Sequence, residues 1–396
     1  MECERDETER SKRHAVVCRA YSKSGQGMLV RDDGATTRSL IFTDKPKEVQ
    51  CSLKLGAANM QRTLFDRDVA FDWQYMQAFT LALGLVTRTT TERRVPFQIC
   101  VLGGGCGVWP MAIRNIFSGG SDGGGNNSNV TIGNIDVIEI SNTVIELGRD
   151  YFGLEGVGPG IADGITVVCA DALQFIARRS RSSSNGGGGN GGGGGGGGST
   201  PLYDLIVIDV GNTEGGGGGG SEEAGGAAGV DGGWETCDSE DDDGRALLAA
   251  DAAESAAMPE VPPSPFLDQG WLKDCLLPCL DPVHGVVACN VLGSEDAIET
   301  VNSLFGKCFR NHAALATEDD NVVFFGMQSA TSPTAAELFE VITEINGGAR
   351  ALPLSVLLPE VMAILLETPS CFPNRVGWMT GAELSATLAA RQAGCI

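Results

Sequence analysis

Val101-Leu102-Gly103-Gly104-Gly105-Cys106-Gly107 and, further along, Val137-Ile138-Glu139-Ile140 decide how this 396-residue chain folds. The first stretch reads as a buried strand running into a glycine turn and then a helix. The second reads as another buried strand ending in an acid. In an open α/β sheet, ligands bind in the crevice at the carboxyl ends of the strands, where such turns lie. The glycines let the backbone approach a ligand closely, and the carboxylate can accept hydrogen bonds from both hydroxyls of a ribose. Such an acid normally follows the turn by about 20 residues. Here the excess lies in Ser118 to Thr131, a Gly/Asn/Ser run that reads as an inserted loop. The plain alternative is a tight strand-helix turn with no ligand.

The spacing of the glycines argues against a dinucleotide. A G-x-G-x-x-G fingerprint needs a third small residue for close helix packing. Counting from Gly103 puts Val108 there, and counting from Gly105 puts Pro110 there. A nucleoside cofactor without phosphates, such as S-adenosylmethionine, fits the turn better.

The formal net charge is −23. Residues 214–260 hold thirteen acids and one base, Arg245, so that segment carries −12 and the remainder −11. Phosphate binding needs clustered Lys and Arg, so nucleic acid is not an expected partner. An acidic surface suits a basic protein or an amine as substrate, and equally suits a merely soluble protein. Thirteen cysteines with no C-x-x-C and only three histidines do not suggest zinc. Reduced, buried cysteines and a cytoplasmic location are expected instead. Met1 to Arg13 is charged and has no apolar core, and no apolar run reaches the ~18 residues of a membrane span, so neither a signal peptide nor a membrane segment is expected.

Along the chain, residues 1–25 read as a charged N-terminal segment and 26–65 as a small β-hairpin region turning at Asp33-Gly34. Asp66 to Leu85 carries Phe71, Tyr75, Phe79, Ala82 and Leu83 at helical spacing. From Phe97 strands and helices alternate: strands at 97–102, 134–140, 165–170, 203–210 and 285–292, helices at 107–117, 142–151, 172–179, 266–277 and 295–308. Such alternation predicts a class I, Rossmann-like α/β fold with a mostly parallel seven-stranded sheet over 66–330. His312 to Ala316 and Val322 to Met327 are expected as a hairpin at one sheet edge. Segments 119–130, 182–200 and 214–261 are too poor in apolar residues to offset ordering entropy and read as disordered insertions. Residues 331–396 read as a helical extension, with helices at 334–345 and 354–366.

Three further residues are candidates. Asp171 ends the third strand, where it can accept from an adenine amino group while the amide of Ala172 donates to the ring; the alternative is a helix N-cap. Asp209 ends the fourth strand, Tyr203-Asp204-Leu205-Ile206-Val207-Ile208-Asp209-Val210, among apolar neighbours. It can orient an amine by charge-assisted hydrogen bonding, or cap its own loop. Gln74, in Trp73-Gln74-Tyr75-Met76, says nothing on its own.

Taken together these pieces resemble the spermidine-synthase-like superfamily of Rossmann-type transferases. Within it they are most similar to the C-terminal domain of the enzymes that methylate translation elongation factor 1-alpha. The resemblance covers roughly 38–328. It rests on Leu40-Ile41-Phe42 with Val49-Gln50, Trp73 to Met76, the Gly103–Gly107 turn, Asp136 to Ile140, Tyr151 to Leu154, Ala170-Asp171-Ala172 and Tyr203 to Val210. It returns at Arg375-Val376-Gly377-Trp378. It implies S-adenosylmethionine as cofactor, held by Gln74, Gly103, Gly104, Gly105, Gly107, Glu139, Asp171 and Ala172, with Asp209 as the catalytic residue on the acceptor side and no metal. The implied partner is a protein substrate offering an N-terminal amine or a lysine, a basic translation factor being one candidate; a homodimer is left open.

Aminopropyltransferases of the same superfamily carry an acid in the glycine turn, where this chain has Cys106, and further acids after the fourth strand, where Gly211-Asn212-Thr213 stand. The acid in the turn would repel the carboxylate of intact S-adenosylmethionine, so both departures favour methyl transfer over polyamine synthesis. One departure counts the other way. The elongation-factor enzymes have an acid two residues beyond the one matching Asp209, and here that place is Gly211, with Glu214 the next acid. An aminopropyltransferase, or a catalytically silent binding protein of the same fold, are the alternatives.

Overall fold

The computed structural model describes residues 14–23, 25–33, 37–45, 49–54, 74–89, 96–117, 131–154, 164–184, 202–211, 262–317, 321–331, 333–344 and 377–392. The expected insertions 119–130, 185–200 and 214–261, the start of the first helix and the helix at 354–366 lie outside these residues.

Four antiparallel strands open the chain: β1 (His14–Tyr21), β2 (Gly27–Asp33), β3 (Thr37–Phe42) and β4 (Val49–Lys54), in that spatial order. The small sheet therefore begins inside the segment expected to be only charged. Its first strand was masked by alternating polar residues, Arg19 among them, which face away from the buried Cys18 and Ala20. Helix α1 (Gln74–Thr89) follows, buried from Met76 to Val86.

The main sheet then alternates as expected: β5 (Phe97–Leu102), α2 (Val108–Phe117), β6 (Ile132–Glu139), α3 (Asn142–Leu147), β7 (Ile165–Cys169), α4 (Ala172–Ser184), β8 (Leu205–Ile208), β9 (Val286–Val291), α5 (Glu295–Cys308), β10 (Asn311–Ala316) and β11 (Val322–Met327). The neighbouring pairs β7-β6, β6-β5, β5-β8 and β8-β9 are parallel. The chain order reverses direction across the sheet beside β5, which is where open α/β sheets place their ligands.

Two expectations are corrected. The helix expected at 266–277 is a run of short turns, Ser264–Leu267, Gln269–Trp271, Leu272–Leu276 and Leu277–Cys279. Pro263, Pro265 and Pro278 remove the amides a regular helix needs. The β10–β11 hairpin is not at the edge: β12 (Gly377–Thr380) pairs antiparallel with β10, so the sheet has eight strands in the order β12-β10-β11-β9-β8-β5-β6-β7. Residues after 330 thus complete the main domain rather than extend it. Helix α6 (Ala335–Glu344) packs on α1, and α7 (Gly381–Gln392) packs on α5.

Alternate residues of the central strands feed two cores, one on each face, as the two-residue period of a strand requires. Ile99, Val101, Leu205, Val207 and Phe325 join α1, α2, α6 and the small sheet. Cys100, Leu102, Ile206, Ile208 and Phe324 join Ile176 of α4, the short turns and α5. Arg38 of β3 donates to the Tyr151 carbonyl at 3.1 Å while paired with Asp32 at 2.7 Å, tying the small sheet to the turn after α3.

Candidate cofactor and acceptor site

A cavity of about 1080 Å³ opens at the carboxyl ends of β5, β6, β7 and β8, roofed by β4 and α1. Ligand pockets ordinarily enclose ~300–1,000 Å³, so this one has room for a nucleoside cofactor and part of a second molecule. Gly103, Gly104, Gly105, Glu139, Asp171, Ala172 and Asp209 all line it. Gln74 begins α1, and its side chain lies outside the described residues.

The glycine turn is forced by its surroundings. Gly103, Gly105 and Gly107 have φ of 81°, 51° and 76°, a region that favours glycine. A Cβ on Gly103 would overlap the carbonyl oxygen of Asp209, and one on Gly104 the side chain of Val137. A Cβ on Gly105 would meet nothing within 4 Å. The turn is closed on the protein side and open on the cavity side, leaving a cradle for a ligand.

Glu139 is buried at the end of β6 and anchored by backbone. Its Oε1 accepts from the Ser141 amide at 2.9 Å and its Oε2 from the Gly105 amide at 3.0 Å. Burial raises its pKa, opposed by the amides of Ser141, Gly105 and Ile140. Each oxygen keeps a lone pair after its amide bond, which suits two hydroxyl donors. Ile140, next in the chain, lines the same cavity with 64% of its surface exposed, an apolar platform beside the carboxylate.

Asp171 does both things read from the sequence. Its Oδ1 caps α4 by accepting from the Gln174 amide at 3.0 Å, and the residue still forms cavity wall beside Ala172.

Asp209 is the most perturbed acid of the site. Burial pushes its pKa up to about 7, opposed by hydrogen bonds from Asn290 and Tyr75. Asn290 Nδ2 donates to its Oδ1 at 3.2 Å. Among the described residues its side-chain partners come from β9 and α1, so the loop-capping alternative does not hold. Sequence reading missed Asn290 and Tyr75. The available signals were an amide inside the apolar run Val286-Val287-Ala288-Cys289-Asn290-Val291, and a hydroxyl beside Gln74. Asn290 is 5% exposed, and its Oδ1 has no hydrogen-bond partner. A buried polar atom left unpaired costs about 1–3 kcal/mol, so it marks a place where a donor belongs.

Gly211 also lines the cavity, and the nearest atom to a Cβ there is Gln50 Oε1 at 4.0 Å. The position has space for the acid that the resemblance expects; Glu214 lies outside the described residues. Among these residues no group of three or more His, Cys, Asp or Glu could hold a metal ion, and no helix is long and apolar enough to cross a membrane.

No family model matches this chain, and no curated protein is similar to it in sequence. Solved structures are similar in fold. A probable spermidine synthase from Corynebacterium glutamicum aligns over 95% of this chain and 94% of its own, with 10% identity and a TM-score of 0.50. Human methyltransferase-like protein 13, in complex with SAH, aligns over 76% and 96%, with 16% identity and a TM-score of 0.45. A spermidine synthase in complex with the transition-state analogue AdoDATO aligns over 89% and 84%, with 11% identity and a TM-score of 0.44. At such identities the likeness is one of fold, and that fold is the Rossmann-like one read from the sequence.

Proposed function

We propose that this chain is an S-adenosylmethionine-dependent methyltransferase whose acceptor is a protein amine. The observation that carries the reading is one cavity holding two sets of groups: the open glycine cradle with Glu139 and Asp171, and the buried cluster of Asp209, Asn290 and Tyr75. The open side of Gly105 and the backbone-anchored carboxylate of Glu139 fit a nucleoside. Glu139 would accept from the ribose hydroxyls, and Asp171 with the Ala172 amide would take the adenine edge. When bound, S-adenosylmethionine supplies an electrophilic sulfonium methyl group.

The chain's own task is to present a neutral amine in line with that methyl. Positioning of this kind supplies a large part of a transfer barrier. An N-terminal amine, with an ordinary pKa of about 7.7–8.0, is already partly neutral near pH 7, whereas a lysine, at about 10.4, is not. Asp209, raised to about 7, is divided between acid and carboxylate in the same range. As carboxylate it accepts the amine N–H and can take its proton. Asn290 Oδ1, otherwise unpaired, accepts a second N–H. The two acceptors fix the nitrogen lone pair toward the cofactor side. Cys106, buried and raised well above the ordinary thiol pKa chiefly by burial, stays neutral where an acid would repel a methionine carboxylate.

Aminopropyl transfer is the second reading, favoured by the fold shared with a spermidine synthase. Calorimetry separates them. Intact S-adenosylmethionine should bind at least tenfold more tightly than its decarboxylated form. The reverse preference supports polyamine synthesis, and binding of neither supports a silent protein. Incubating lysate with methyl-labelled S-adenosylmethionine and this chain should then label a protein band, with the label on an amine nitrogen. Labelling of small molecules alone rejects the protein acceptor.

A further inference from the structure

Two thiols face each other where the small sheet meets the glycine turn. Cys51 lies on β4, the edge strand of that sheet, paired with Leu40 of β3. Cys106 lies inside the turn, between Gly105 and Gly107. Helix α2, which begins two residues after Cys106, packs against β4. Both thiols are buried, at 3% and 1% exposed, and both residues line the wall of the cavity. Their side chains interact directly through a hydrogen bond. Every described cysteine is a free thiol.

We propose that Cys51 and Cys106 form a reversible disulfide across the cavity wall, a modification site for small disulfide oxidants that disables the cofactor cradle. The consequence for cofactor binding rests on the function proposed above; the linkage itself does not. The reaction balances as two cysteine thiols plus one R–S–S–R giving the Cys51–Cys106 bond plus two R–SH. One cysteine loses its proton to solvent and its thiolate attacks a sulfur of the reagent, expelling R–S⁻, which is protonated. The second cysteine then loses its proton and attacks the mixed disulfide, expelling the second R–S⁻. Both cysteines are oxidised and the reagent's S–S bond is reduced. Bonded sulfurs lie only ~2.05 Å apart, so closure draws the turn toward β4. The turn is what positions the Gly105 amide against Glu139, at 3.0 Å.

Thiolate is the attacking species, and burial holds Cys106 protonated. Linkage should therefore be slow near pH 7 and accelerate toward pH 9. A cofactor seated in the cradle should slow it, because it fills the approach to both sulfurs.

The test uses the full chain and bis(2-hydroxyethyl) disulfide at pH 8.5. Peptide mapping should find a Cys51–Cys106 cross-link, S-adenosylmethionine affinity should fall at least tenfold, and dithiothreitol should restore it. In Cys51→Ser the reagent should no longer change the affinity. Absence of that cross-link at reagent levels that modify the exposed Cys169 overturns the proposal, as does a cross-link that leaves affinity unchanged. If Cys51→Ser fails to fold, mapping of the natural chain with and without cofactor decides. Failure of the reduced chain to bind S-adenosylmethionine would sink the proposed function, while the cross-link would still be read by mass.

Discussion

The cofactor half of the cavity is made mostly of backbone, and the acceptor half mostly of side chains. On the cofactor side, one unbroken strand-turn-helix, Phe97 to Phe117, supplies the cradle, and the Glu139 carboxylate is held by the amides of Gly105 and Ser141. On the acceptor side, Asp209, Asn290 and Tyr75 come from the ends or interiors of three separate elements and meet only after the sheet is assembled. A backbone cradle tolerates sequence drift so long as its glycines stay. A side-chain cluster can be lost by one substitution.

The sharpest break between the halves is Asp209→Asn. It should lower methyl transfer by roughly 10²–10⁴-fold, the scale of a lost acid-base group. Cofactor affinity, by calorimetry, should change less than twofold. A parallel loss of cofactor affinity would show that the two halves are not separable.

Glu139→Ala works from the other side. It should weaken S-adenosylmethionine binding by ~1.5–3 kcal/mol, the scale of hydrogen bonds to a charged group. Affinity that is unchanged while circular dichroism shows an intact fold removes Glu139 from the site.

Cys106→Asp probes the methionine end of the cradle. Its carboxylate would face that of the intact cofactor, and like charges brought close in a buried site are costly. The ratio of dissociation constants should move at least tenfold toward decarboxylated S-adenosylmethionine. A ratio that stays put means that Cys106 does not face that end, and the argument against polyamine synthesis fails with it.

The pH dependence of stability tests Asp209 without substrate. Its folded pKa, about 7, lies above the ordinary carboxylate value, so between the two the folded chain binds more protons than the unfolded one. The stabilisation is full below pH ~4 and is lost as pH rises through about 7. Denaturant midpoints taken at pH 5 and pH 8 should therefore fall more for the natural chain than for Asp209→Asn. Equal falls would place the Asp209 carboxyl in water.

The smallest effect is expected from removing 186–199 and 215–258 together. Both segments connect β8 to its neighbours in the chain and are nearly free of large apolar residues. Thermal midpoint and cofactor affinity should stay within measurement error. Loss of acceptor methylation alone would make the acidic segment part of acceptor recognition.

The cofactor half was legible because local chemistry dictates it. Three glycines between an apolar strand and an apolar helix admit few conformations, and an acid closing the next strand must sit at the same sheet edge. Asp209 was legible for the same reason. Its partners were not, since Asn290 lies 81 residues away and nothing in its own neighbourhood says which strand it will flank. The same limit hid β12, a four-residue strand more than 60 positions after its partner β10. The turns at 264–279 were misread because apolar spacing outweighed three prolines.

The sequence by itself determined the alternation of strands and helices, the glycine cradle and the acids at strand ends, because each follows from side-chain periodicity and steric limits within a few residues. The tertiary structure alone decided that eight strands share the main sheet, that Cys51 meets Cys106, and that Asp209 lies buried against Asn290 and Tyr75. Those depend on which distant surfaces exclude water together, and burial is what turns an ordinary aspartate into one that titrates near neutrality.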